Sequence, residues 1–225
     1  MPCDLGFKSY SRVDVPVPQP TVLKKRYAAP SVDAELMNLI GQDDTTFVEW
    51  INELDAAPLL QKALDAALAV TKTKGVTFSV NAGGLSAQTT FVSAAEKRSA
   101  EKAIEKVSRR WQIEVLSVVA QLLDFETQVT VTKVDGQDVL MLEGEKRSAS
   151  RVNEYLRVTF DPTAETTVMF EHFASKQKLD EMRNKFLALS QRLGVRIGVV
   201  ATRQSGSPIP EGAVHEHFIK SHGHK

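Results

Sequence analysis

Between Ser93 and Leu122 the apolar residues Ala100, Ile104, Val107, Trp111, Val115, Val118 and Leu122 recur at intervals that alternate between three and four. That is the repeat of one face of an α-helix. Ser93 stands where a cap is needed, and Glu96 follows three residues later, the capping-box arrangement. A helix over residues 96–123 covers roughly 28 residues, or about 40 Å at about 1.5 Å per residue. A helix that long has to lie across a sheet or pack in a bundle, so the rest of the chain must supply that surface.

The flanking segments carry strand signals. Residues 75–80 alternate, with Val76, Phe78 and Val80 to one side, and Gly83-Gly84 predicts a turn back into a partner strand over residues 88–92. After the long helix, Val129, Val131 and Val134 lead to Asp135-Gly136 and a return over residues 139–142, a second hairpin. Before it, Ser31 and Asp43 or Asp44 are candidate caps for helices carrying Leu36, Leu39 and Ile40, then Phe47, Ile51 and Leu54. Gly41 reads as the stop of the first. Pro58 begins a third helix with Leu60, Ala63, Leu64, Ala67 and Leu68 on its buried stripe. Val13, Val15 and Val17 alternate, but Pro16 and Pro18 cannot donate to a ladder, so residues 12–18 predict a short edge strand.

A polar connector over residues 144–153 reads as a boundary. Beyond it come a strand (155–160), a turn at Asp161-Pro162, a strand (166–170), a helix (176–193) burying Leu179, Met182, Phe186, Leu189 and Leu193, then Gly194 and a strand (195–202). The expected fold class is therefore α+β, two helix-on-antiparallel-sheet units, the first with one long helix. The units are expected at residues 1–145 and 146–204, followed by a polar, histidine-containing tail at 205–225.

Lys+Arg and Asp+Glu both number 28, so the chain has no net basic excess of the kind that nucleic-acid binding usually brings. The single cysteine, Cys3, excludes an internal disulfide. No apolar run approaches about 18 residues, and no charged start precedes an apolar stretch. The expectation is a cytoplasmic protein without membrane contact.

No phosphate loop, dinucleotide fingerprint, zincin helix pair, serine elbow or paired-cysteine metal spacing occurs in the sequence. Four features remain as candidates. His215, His217, His222 and His224 cluster at the tail, and alternate imidazoles in an extended segment can hold a transition metal; the competing reading is a solvated tail with no cofactor. Arg98, Lys102, Lys106, Arg109 and Arg110 fall on the face of the long helix opposite its apolar stripe. With Lys146, Arg147 and Arg151 of the connector they would track a phosphate backbone or an acidic partner. Glu101 and Glu105 interrupt that stripe, as a solvated helix face would. Trp50 and Trp111 sit on or beside apolar stripes and read as core rather than as stacking platforms. His172 ends a strand beside Glu171 and Phe173, where its surroundings would set its pKa.

The opening Met1-Pro2-Cys3-Asp4, the helix segment Leu60-Gln-Lys-Ala-Leu64, the hairpin after it and Lys102-Ala-Ile-Glu-Lys-Val-Ser-Arg-Arg-Trp111 resemble small bacterial and plastid proteins of unknown function, the plastid hypothetical-reading-frame type. That resemblance covers roughly residues 1–145. Residues 155–202, with Val158-Thr-Phe-Asp-Pro162 and Leu193-Gly194, are similar to a second short family of unknown function. Genes of the two are commonly neighbours of an AAA-type ATPase. The resemblance implies a fusion of the pair, with that ATPase as partner.

Three readings of function follow. The leading one is a non-enzymatic accessory or adaptor protein that binds another protein, with an AAA-type ATPase as the implied partner and self-association into a homo-oligomer as a further expectation. The second is a nucleic-acid-binding module using the basic face of the long helix. The third is a metal-binding protein working through the terminal histidines.

Overall fold

A computed structural model gives the protein's structure over residues 6–14, 25–26, 32–81, 84–90, 93–134, 136–147, 153–161 and 166–207. The fold is α+β. Its elements run β1 (Gly6–Asp14), β2 (Lys25–Arg26), α1 (Ala34–Asp43), α2 (Thr45–Glu53), α3 (Ala56–Thr71), β3 (Thr77–Asn81), β4 (Gly84–Gln88), α4 (Ala94–Leu122), β5 (Glu126–Val134), β6 (Gln137–Lys146), β7 (Glu154–Phe160), β8 (Thr166–Phe173), α5 (Lys176–Arg192) and β9 (Gly198–Ser207). Among the described residues no helix is long and apolar enough to cross a membrane.

An antiparallel sheet of order β5-β6-β7-β8-β1-β9 forms the base. The inward residues of its strands (Leu140 and Leu142 of β6, Leu156 and Val158 of β7, Val168 and Phe170 of β8) are buried against α4 and α5. Helix α3 then covers α4 from its other side, and β3 of the small sheet β2-β4-β3 packs against α3. The Trp111 indole N–H donates to the Leu60 carbonyl across that second contact, at 3.5 Å.

This sandwiching explains the unequal halves of α4. The capped start is as expected, with Ser93 Oγ accepting from the Glu96 N–H at 3.2 Å. The predicted stripe of one residue in three or four holds only for the first turns. From Val107 to Ala120 the helix is buried nearly all round, Ser108, Gln112 and Ser117 included. A helix with layers on both sides has no solvated face. At its end the chain turns through Asp124, at φ +66°, while the Leu123 N–H and the Phe125 N–H both donate to the Ala120 carbonyl at 3.0 Å. The turn delivers Phe125 against Gly144 of β6, where an added Cβ would stand 3.3 Å from the Phe125 Cβ. Glycine is what lets the aromatic ring lie flat on that strand.

Helix α5 is capped by Ser175 Oγ on the Lys178 N–H and packs Phe186 edge-on against Phe170, with ring centroids 5.6 Å apart. Helices α1 and α2 are strapped to it by side chains. Lys185 Nζ lies 2.7 Å from Asp44 Oδ2 and 2.6 Å from Glu181 Oε1. Arg192 donates to the carbonyls of Ile51 (3.1 Å), Asn52 (3.3 Å) and Leu54 (3.0 Å), a cation set on the carbonyl end of α2.

Several expectations are corrected. Strands β6 and β7 are paired from Leu140↔Phe160 to Lys146↔Glu154, so one sheet crosses the boundary expected at residues 145/146. Residues 144–146 of the polar connector are part of β6 itself, and residues 148–152 lie outside the described residues. The strand expected at 12–18 is β1, residues 6–14. It lies inside the sheet between β8 and β9, not at an edge, because Ser9 and Ser11 are small enough to sit buried beneath α5. Pro16 and Pro18 lie outside the described residues. Strand β4 begins at Gly84 and not at Gln88, since the Asn81↔Gly84 pair closes the hairpin four residues earlier. Gly41 does not end α1, which runs on to Asp43. Strand β9 extends to Ser207, three residues into the stretch read as tail.

Candidate functional site

Because α4 and α5 both pack on one face of the six-stranded sheet, strand alternation sends the other set of side chains away from the described helices. On β5 these are Glu126, Gln128, Thr130 and Thr132; on β6 Met141, Glu143 and Glu145; on β7 Tyr155, Arg157 and Thr159; on β8 Met169 and Glu171. The β5–β7 end of this face is a polar cleft of about 420 Å³, lined by Glu126, Thr127, Gln128, Glu143, Gly144, Glu145 and Tyr155.

The floor of the cleft is a preordered cluster. The Tyr155 hydroxyl donates to Glu143 Oε1. Arg157 donates to the same oxygen from Nη2 at 2.8 Å and from Nε at 3.2 Å, and its Nε also reaches the Tyr155 hydroxyl at 3.1 Å. The guanidinium lies over the Tyr155 ring, 5.3 Å from its centroid. Tyr155 is only 3% exposed although it faces away from the helices. Burial first, and then its bond to the Glu143 carboxylate, push the phenol far above its ordinary pKa. It stays protonated as a hydrogen-bond donor and has no acid–base role near neutrality. The rim is anionic. Glu126 and Glu145 stand directly opposite each other in the β5–β6 register, a cross-strand like-charge pair, which destabilises a sheet unless a cation lies between. The arrangement suits it to hold a positively charged group over an ordered aromatic–guanidinium platform.

A second polar cluster lies at the inward end of β7. Glu154 is buried and its carboxyl is raised above the usual glutamate range, by burial first, against the pull of Lys146 and Lys178. His172 is buried at the next place along from the Tyr155↔Glu171 pair, in a bulge of β8 where its φ is +67°.

The residues singled out from sequence are not brought to one place. Arg98, Lys102 and Lys106 form an exposed stripe on the first half of α4, and among the described residues none of them has an ion-pair partner. Arg109 is paired with Glu105 at 3.1 Å. Arg110 is not on the solvated face: it is 7% exposed, with Nη2 2.5 Å from Glu114 Oε1, in the half of α4 that is covered all round. Lys146 turns inward, donating to the Leu123 carbonyl at 2.9 Å and lying 3.4 Å from Asp124, so it caps the carbonyl end of α4. Arg147 is exposed beside it. The 17 residues from Lys106 to Leu123 put roughly 25 Å of helix between the stripe and these two, so no continuous basic track joins them. Arg151 and the histidines His215, His217, His222 and His224 lie outside the described residues. Among the described residues no group of three or more His, Cys, Asp or Glu could hold a metal ion. Trp111 is core, and Trp50 is half-exposed against Phe47.

The Tyr155–Glu143–Arg157 cluster was not singled out from sequence. Its only signal there is the alternation Tyr155-Leu-Arg157-Val, which sends both side chains to one face; Glu143 joins them only through the β6–β7 register. No known family model matches the chain, and no curated protein or solved structure is significantly similar to it.

Proposed function

We propose that this chain is a binding protein of the adaptor kind, which recognises a basic segment of another protein on the outward face of its sheet. The observation that carries the reading is the cleft at the β5–β7 end: a fixed Tyr155–Glu143–Arg157 floor beneath a Glu126/Glu145 pair that has no ion-pair partner among the described residues. Three carboxylates at one end of a sheet favour Lys or Arg side chains and repel phosphate. The AAA-type ATPase implied by the resemblance is the first partner to try.

Affinity capture with the full chain, beside the double variant Glu126→Lys/Glu145→Lys, tests it. The expected result is a stoichiometric protein partner held by the wild type and released by the variant. Equal capture by both, or no stoichiometric partner, overturns it.

A nucleic-acid reading rests on Arg98, Lys102 and Lys106 alone. Three residues spanning about 12 Å of helix meet only two or three phosphates, which gives a shallow salt dependence.

A further inference from the structure

The six-stranded sheet ends in β5, and among the described residues nothing pairs with its outer edge. Strand β5 joins β6 through a two-residue connection, with Val134 opposite Gln137. In such a hairpin the closing pair is hydrogen-bonded, and the alternation then fixes every other position. Glu126, Gln128, Thr130, Thr132 and Val134 bond to β6. The N–H and C=O groups of Thr127, Val129, Val131 and Lys133 point out of the sheet.

Native proteins blunt such edges with proline, bulges, short strands or inward charges. Strand β5 has nine residues, no proline and no register shift against β6, and its one lysine is next to its end. On the helix-facing side α4 leaves it partly uncovered: Val131 is 47% exposed, although it follows the half-buried Val129 in the same alternation.

We infer that a second copy of this chain pairs with β5 through its own β5, antiparallel about a two-fold axis at Thr130. Complete overlap of the nine residues allows one register, in which paired residue numbers sum to 260. That register sets Val129 against Val131 of the other copy, and Thr127 against Lys133, which are the outward-bonding positions. The parity of the two strands therefore matches with no slip. Exposed valine meets half-buried valine on the helix-facing side, where cross-strand β-branched pairs contribute most. Gln128 meets Thr132 on the other side, and neither Glu126 nor Lys133 faces its like. Thr130, whose buried Oγ1 finds no hydrogen-bond partner among the described residues, meets its own copy at the axis, and a χ1 rotation lets the two hydroxyls bond. The contact is isologous and closes on itself, giving a twelve-stranded sheet rather than a fibre.

The full chain is tested by sedimentation across a concentration series, beside Val131→Lys. The expected result is a dimer for the wild type and its loss in the variant, with an unchanged circular-dichroism spectrum. A wild type that stays monomeric, or a variant that dimerises as well as wild type, overturns the inference. Cysteine cross-linking reads the register independently of that variant. In a Cys3→Ser background, Thr130→Cys places the two thiols across a narrow non-hydrogen-bonded pair, within reach of a disulfide. Thr132→Cys places them four residues apart along the strands, or roughly 13 Å. Oxidation should give covalent dimer from the first and not from the second; equal yields, or none from Thr130→Cys, sink the two-fold at Thr130.

Discussion

The two edges of the large sheet are built to different rules. Strand β9, backed by α5, is broken up: its pairing with β1 shifts register between Arg12 and Val13, it opens at Gly198, and Gly206 sits at φ +127°. Strand β5, backed by α4, keeps nine consecutive pairs with β6 and a valine–threonine alternation. An irregular edge resists addition of another strand, and a regular one invites it. Both proposals place their contact surfaces at the β5 end, one on its rim and one on its outward face. The β9 end is instead stiffened by ties running inward, through Lys185 and Arg192 to α1 and α2.

The strongest way to test whether these ends are independent is to hollow each core in turn. Phe186→Ala removes the ring packed on Phe170 at the β9 end and should cost about 3–5 kcal/mol; Leu142→Ala at the β5 end should cost about 2–5 kcal/mol. Because one sheet joins the two ends, denaturant unfolding followed by both fluorescence and circular dichroism should shift as one transition in each variant. Two separate transitions would restore the two-unit organisation expected from sequence.

A smaller effect belongs to the β5 end alone. Tyr155→Phe takes away the hydroxyl shared by Glu143 and Arg157 and should cost about 1 kcal/mol. It should also weaken partner capture without altering the dimer. Loss of the dimer in Tyr155→Phe would merge two surfaces that the structure keeps on different sides of β5.

The smallest effect is electrostatic and sits at the β9 end. The bond from Lys185 holds the Asp44 carboxyl below its ordinary pKa, helped by the Phe47 N–H. A depressed carboxyl contributes stability above its unfolded pKa and loses it as pH falls through the folded value. Lys185 is lowered by burial but raised on balance by its bonds to Asp44 and Glu181, so its contribution fades only as pH rises past the usual lysine range. Asp44→Asn should therefore lower the thermal midpoint near neutral pH by a modest amount, and the difference from wild type should close as pH falls below the ordinary aspartate range and through the depressed titration of Asp44. A gap that persists in acid would assign the loss to the missing helix cap rather than to the ion pair.

What was legible in the sequence is what depends on near neighbours. The cap Ser93, the hairpin of β5 and β6 and the spacing of Leu179, Phe186 and Leu189 are written within a few residues, and those elements stand where expected. The place of β1 was not legible, because its partners lie some 160 and 190 residues away along the chain. Helix α4 misled in its second half for a related reason: its full coverage comes from α3 and the sheet together, which no single stripe can announce. The basic stripe lost Arg110 and Lys146 because periodicity assigns a face but not a partner, and Glu114 and the Leu123 carbonyl had the prior claim. The candidate site was hidden by register, since Glu143 meets Tyr155 and Arg157 only once β6 and β7 are aligned.

The position of β1 has a consequence for synthesis on the ribosome. Its residues are made long before one of its neighbours, β9, which is complete only at Ser207, 193 residues after Asp14. At about 5–20 residues per second that interval is roughly 10–40 s. Strands β5 to β8 can form a meander meanwhile and β1 can close on β8, leaving β1 as the temporary rim until β9 arrives. The nascent chain therefore waits with β1 unsatisfied along one edge, and shielding during that interval by a chaperone or by a neighbouring nascent copy bears directly on yield.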